Sequence, residues 1–165
     1  PNTPGLRDLQ GGDYLGHLLD TLLTESRELA DQFGISKRPL FLKIAPDLTE
    51  TELDEILDVV LNRGIDGLIA TNTTLSREGL RHANRRESGG LSGAPLTQRS
   101  TEIIHRVHEK TNGQLPIIGV GGVRTAADVR DKLAAGASLV QLYTGLVYEG
   151  PAIAGEILRT LASST

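Results

Sequence analysis

Apolar residues recur along the chain with two different periods. Over residues 14–33, "YLGHLLDTLLTESRELADQF", Leu15, Leu18, Leu19, Leu22, Leu23 and Leu29 fall at helical spacing, which predicts an amphipathic helix stopped by Gly34. "PLFLKIAP" (39–46) is instead a short continuous apolar run closed by proline, the pattern of a buried strand. "LTETELDEILDVVLNRG" reads as a helix with Thr49 as N-cap, Glu52 three residues on to complete a capping box, and Gly64 as its stop. The alternation continues through the strand "DGLIAT" (66–71), the helix "TQRSTEIIHRVHEKTNG" and the strand "PIIGVG". A helix from about Thr125 to Gly136, the strand "SLVQLYT" and a last helix beginning near Pro151 complete it. Roughly residues 72–95 form a polar loop, far longer than the usual ~4–6 residues.

One helix followed by four strand–helix units implies parallel strands, and continuous apolar strands imply cover on both faces. Two architectures fit: an open doubly wound sheet, or part of a (β/α)8 barrel. A complete barrel needs at least ~200 residues, so a chain of 165 would be about half of one. The chain contains no methionine and begins with "PNTPGLR", which reads as the middle of a loop. Residues 1–165 are therefore expected to be one half-barrel domain of a longer polypeptide, with no second domain.

Composition narrows the function classes. With 38% hydrophobic and 23% charged residues the chain is of globular type, and with 3% aromatics its core must be aliphatic. A formal net charge of −4 argues against nucleic-acid binding, and "RHANRR" (81–86) is expected to be a solvated loop. No apolar stretch approaches the ~18–20 residues of a membrane span. The absence of cysteine excludes disulfides and thiolate chemistry within the segment.

Polar and glycine residues collect at the C-terminal ends of all four predicted strands: Lys43, then Thr71-Asn72-Thr73, then Gly121-Gly122, then Tyr143-Thr144-Gly145. In either architecture that is the ligand-binding edge. Lys43 interrupts an otherwise apolar run, so it needs an anionic partner, a lost proton, or a route to solvent. It could serve an anionic cofactor or act as a Schiff-base amine. "TNTT" (71–74) offers donors and acceptors to a small polar ligand, or merely caps a turn.

"GVGG" (119–122) is not a dinucleotide fingerprint, because G-x-G-x-x-G would need glycine where Arg124 stands. Two glycine-bearing turns on adjacent strands favour an anion such as a phosphate, although glycine also simply permits tight turns. "GGLSG" (89–93) adds backbone N–H groups but is no nucleophile elbow, since position 94 is Ala94. His105 and His108 lack a third ligand and read as a surface pair, so no metal site is expected; His17 and His82 carry no signal.

"PNTPGLR", "KIAPDLT", "IDGLIATNTT", "GGLSGAPL", "LPIIGVGGV" and "AGASLVQLYTG" together resemble dihydroorotate dehydrogenase, specifically its quinone-dependent class 2, over essentially the whole chain. The resemblance implies an FMN enzyme on a (β/α)8 barrel, of which this chain would be strands 5 to 8. It implies oxidation of dihydroorotate to orotate in pyrimidine synthesis, with a membrane quinone as acceptor. Lys43 would lie beside the pyrimidine edge of FMN with Thr71 against it, and backbone from Gly93, Gly122, Tyr143 and Thr144 would hold its phosphate. Asn2, Asn72 and Thr73 would hydrogen-bond the orotate ring. The class 2 pattern puts the catalytic serine immediately before the proline that is Pro1 here, so no residue of this chain is expected to be the general base; Ser26, Ser36, Ser76, Ser88 and Ser92 do not match the motif. The quinone and the inner membrane would be met by N-terminal helices outside this chain, leaving the segment itself soluble. Two rival readings stand beside it: a Schiff-base barrel lyase or aldolase using Lys43, and a non-catalytic half-barrel.

Overall fold

The computed structural model describes Gly5, Leu9 and residues 11–163, with the backbone alone for Asp13. Helix α1 (Gly12–Phe33) ends on Gly34, whose left-handed φ of 61° supplies the C-cap. Strand β1 (Phe41–Ile44), helix α2 (Glu50–Arg63), strand β2 (Gly67–Ala70), helix α3 (Thr97–Lys110) and strand β3 (Ile117–Val120) follow. Helix α4 (Ala126–Ala134), strand β4 (Leu139–Gln141) and helices α5 (Thr144–Glu149) and α6 (Ile153–Ala162) complete the chain. The capping box at Thr49 and Glu52 forms as its sequence predicts, and Thr125 with Asp128 forms a second one at the start of α4.

The four strands are parallel and lie in chain order, β1-β2-β3-β4. A doubly wound sheet needs a point where the strand order reverses, and this sheet has none. Successive right-handed crossovers without a reversal bring every helix to the same face. That face is the core: Ile44, Leu68, Ala70 and Ile117 are fully buried beneath Leu53, Ile56, Leu57 and Val60 of α2 and Ile103, Ile104 and Val107 of α3. Leu15, Leu19 and Leu23 of α1 join the same cluster. A smaller cluster of Val123, Ala126, Val129, Ile153 and Ile157 seats α6 on α4.

The expectation of cover on both faces holds for one face only. Lys43, Ile69, Ile118 and Leu139 are register partners across the four strands and form one transverse row on the other face. Lys43 is exposed, Ile69 and Ile118 are half-buried and Leu139 is 63% exposed. Among the described residues no element lies over this row. The apolar character of both faces is what made the strands read as continuous runs.

The observed strands are shorter than the runs that predict them, notably β4 with three residues. Helix α5 is absent from the sequence reading. "TGLVYE" is only six residues long, too few to display a helical period, and Gly150 with φ 81° ends it before α6.

Candidate functional site

The site is assembled where the strands end. Lys43 projects from the uncovered face of β1 and makes no ion pair with a described residue. Beyond β2 the backbone stays in the ladder: the Thr71 N–H donates to the Val120 carbonyl (2.8 Å) and the Asn72 N–H to the Ile44 carbonyl (2.8 Å). The Thr71 side chain is buried and donates to the Asn72 carbonyl (3.0 Å). The Asn72 side-chain oxygen accepts from the Thr73 N–H (2.8 Å), which fixes the amide and leaves its nitrogen without a partner among the described residues.

After β3 the chain turns through Gly121 (φ 133°) and Gly122 (φ 69°). The glycines of "GVGG" let the covering helices come close to the strand end. A Cβ on Gly119 would sit 2.9 Å from Cδ1 of Ile104, 3.2 Å from Cβ of Ala137 and 3.3 Å from Cδ of Lys132, and one on Gly121 would sit 2.8 Å from Cβ of Ser100. On Gly122 it would lie 2.0 Å from Oγ1 of Thr97 and 2.7 Å from that residue's Cα and N. The close approach lets Ser100 donate from Oγ to the Val120 carbonyl (2.7 Å) and Thr97 from Oγ1 to the Gly122 carbonyl (3.0 Å). Because a trans peptide sets its N–H opposite its C=O, these bonds turn the amides of Gly121 and Val123 away from α3.

Among the described residues, the amides of Gly121, Gly122 and Val123 have no protein acceptor, and neither do those of Tyr143, Thr144 and Gly145 at the β4 turn. Two adjacent turns thus present free backbone donors to one place. Unpaired donors converging on one cleft suit an anion.

The long loop is tied to these turns. Thr74 and Leu91 exchange backbone hydrogen bonds (3.0 and 2.7 Å) as an isolated antiparallel bridge. The Arg77 guanidinium gathers the carbonyls of Thr74 (3.3 Å), Leu75 (3.1 Å), Ser76 (3.3 Å), Glu87 (3.1 Å) and Gly89 (2.6 Å). Thr144 then donates from its hydroxyl to that of Ser92 (2.9 Å). "RHANRR" lies exposed, with a 3-10 turn at Ala83–Arg86, as expected.

Lys43, Thr71, Asn72, Thr73, Gly93, Gly122, Tyr143 and Thr144 all line a single cleft, together with Ser92, Gly121 and Gly145. Every sequence-predicted binding residue that is described therefore comes to one place; Asn2 lies outside the described residues. Of the serines set aside in the sequence, Ser92 reaches the cleft, where its oxygen accepts from Thr144. His105 pairs with Glu109 (3.4 Å) on the surface, and among the described residues no group of His, Asp and Glu is placed to hold a metal.

Sequence reasoning missed Lys132. It is fully buried on α4 and donates from Nζ to Oγ of Ser100 (3.0 Å) and Oγ1 of Thr101 (3.2 Å), with the Thr97 carbonyl at 3.5 Å. Burial pushes its pKa down to about 8, against the opposing pull of Asp128 and Asp131. Burial acts upward on the Asp128 carboxyl, but the Thr125 hydroxyl, the amides of Arg124 and Thr125 and the Lys132 charge outweigh it and hold it below the usual range. A signal existed: Ala126, Val129 and Lys132 are spaced by three along the buried face, so a lysine stands where the pattern calls for an apolar residue.

Comparison with known proteins gives the family. The dihydroorotate dehydrogenase family model matches residues 1–164. A dihydroorotate dehydrogenase (quinone) of Christiangramia forsetii is 54% identical over 157 residues, 95% of this chain and 45% of the relative. One of Allorhizobium ampelinum is 52% identical over 165 residues, 99% of this chain and 45% of the relative. The crystal structure of an Eimeria tenella DHODH in complex with ferulenol superimposes with a TM-score of 0.91 at 42% identity, over 98% of this chain and 46% of that one. The chain spans a little under half the length of these relatives. With a family match over nearly all of its residues and relatives above half identity, the chain belongs to the dihydroorotate dehydrogenase family.

Proposed function

We propose that this chain forms strands 5 to 8 of an FMN-dependent (β/α)8 barrel that oxidises dihydroorotate to orotate, with a quinone as electron acceptor. The observation that carries the reading is the convergence of Lys43, the Thr71–Thr73 segment and two sets of free backbone amides on one cleft.

The residues present fit FMN. The amides at Gly121–Val123 and Tyr143–Gly145, with Gly93 beside them, would take the phosphate, and Lys43 and Thr71 would meet the ring. Asn72 and Thr73 line the same cleft and would hydrogen-bond the pyrimidine substrate. When bound, the flavin would supply hydride acceptance, and the Lys43 side chain would stand beside it to stabilise negative charge on the ring. No residue of this chain is assigned the general base. Attachment to the inner membrane belongs to the same proposal and rests on resemblance alone. Among the described residues no helix is long and apolar enough to cross a membrane.

The test is the colour and reactivity of the complete protein. Stoichiometric FMN that bleaches anaerobically on addition of dihydroorotate is the expected result. A colourless protein in which borohydride traps a carbonyl compound on Lys43 would overturn it in favour of the Schiff-base reading.

A further inference from the structure

We propose that Lys132 is a positioning residue for the phosphate end of the cleft, acting through the first turn of α3; this rests on the flavin reading above. Lys132 does not line the cleft. Its stem lies over Gly119 and its ammonium ends among Thr97, Ser100 and Thr101, on the helix-covered side of β3. Among the described residues Lys132 forms no ion pair there, since each acceptor is a hydroxyl or a carbonyl.

An ammonium can only donate, and this gives the cluster a direction. Ser100 must accept from Lys132, so its own proton goes to the Val120 carbonyl (2.7 Å). Thr101 likewise accepts from Lys132 and donates to the Thr97 carbonyl (2.9 Å). Thr97, held in that turn, donates to the Gly122 carbonyl (3.0 Å). The Gly122 carbonyl is thereby held on the α3 side, and the Val120 carbonyl, already bonded to the Thr71 amide in the ladder (2.8 Å), takes a second hydrogen bond from that side, so the amides of Gly121 and Val123 stay turned away from α3.

A methionine would fill the same volume without a buried charge, and burying a charge on neutral acceptors is unfavourable. The cation is thus a poor choice for packing alone and a good one for orienting hydroxyls. The charged groups acting on it, Asp128 and Asp131, are on its own helix; α3 presents only hydroxyls and a carbonyl, and β3 presents the bare backbone of Gly119.

The experiment compares the affinities of FMN and riboflavin, which differ only by the phosphate, for the flavin-free form of the complete protein. Lys132→Met should weaken FMN about tenfold and riboflavin less than twofold, as expected for misdirected hydrogen bonds to a charged group. Ser100→Ala, a smaller change, should give the same split and decides the matter alone if Lys132→Met does not fold. If the parent prefers FMN and the variants keep that preference, including by weakening both flavins equally, the role of Lys132 is overturned while the flavin site stands. If the parent does not distinguish the two flavins, the phosphate reading fails and this inference with it.

Discussion

Thr144, at the start of α5, donates a hydrogen bond of 2.9 Å to Ser92 in the long loop, across 52 residues of sequence. The bond clips the "GGLSG" segment over the turn that follows β4. Exposed hydroxyl pairs add little to global stability, typically ~1 kcal/mol or less. Their value here lies in holding two sides of one cleft together. Ser92→Ala should leave the melting temperature within about 2 °C of the parent yet raise the FMN dissociation rate several-fold. Stopped-flow flavin release checks this. The double change with Thr144→Val should release flavin no faster than the worse single variant, because both remove the same bond.

Gly122 is held by packing as well as by backbone conformation. Gly64 offers the control, for its φ of 65° is close to the 69° of Gly122 but a Cβ there meets nothing within 4 Å. Gly64→Ala should cost about 1 kcal/mol, the backbone contribution alone. Gly122→Ala should cost at least about 2 kcal/mol more, because the new methyl displaces Thr97 and the start of α3. Denaturant unfolding of the complete flavin-free protein measures both. Equal losses would mean that the contact with Thr97 relaxes freely.

The charge on Lys43 separates the flavin reading from the Schiff-base reading. Lys43→Ala should retain part of its FMN and slow flavin reduction by dihydroorotate about 10²-fold or more, since preorganised charge counts most where charge develops. Lys43→Arg should keep more of the rate, because the charge stays while its geometry shifts. For an imine-forming lysine both variants would be equally dead. Anaerobic stopped-flow reduction distinguishes the outcomes.

The buried Lys132 makes stability depend on pH in alkaline solution. Its folded pKa is about 8 against an unfolded 10.5, so between those values the unfolded chain carries a proton that the native state lacks. Stability from this group therefore rises as pH climbs through that window, by a total on the order of 3 kcal/mol, and is lowest below about pH 8. Lys132→Met should remove the rise. The stability difference between the parent and this variant, followed by denaturant unfolding from pH 7 to 10.5, should shift in the parent's favour as pH increases.

How much of this was legible in the sequence depends on the range of each interaction. The cleft was legible because in a parallel sheet every strand's C-terminal end meets the same edge, so Lys43, Thr71 and Gly122 needed only their strands to be recognised. Capping boxes were legible because Thr49 and Glu52 are three residues apart. The Ser92–Thr144 bond was not, since nothing local marks either hydroxyl. Arg77 was hidden for a different reason: a guanidinium that organises a loop through five backbone carbonyls leaves no pattern in side-chain types. Lys132 did break a pattern, but Leu133 beside it offered an apolar residue to satisfy the period, and that leucine turns out to be 43% exposed.

The order of the strands carries a consequence for how such a protein comes into being. Each strand pairs with its neighbour in sequence, so every strand–helix unit can dock on the one before it as the chain lengthens, without any distant segment having to return. The turn at Gly121 and the hydroxyls of Thr97 and Ser100 that hold it belong to adjacent units and can mature early. The row of Lys43, Ile69, Ile118 and Leu139 cannot, because among the described residues no element covers it. That row sheds its water only when something closes over it, so the amide-lined turn can be in place while the surroundings of Lys43 are still wet.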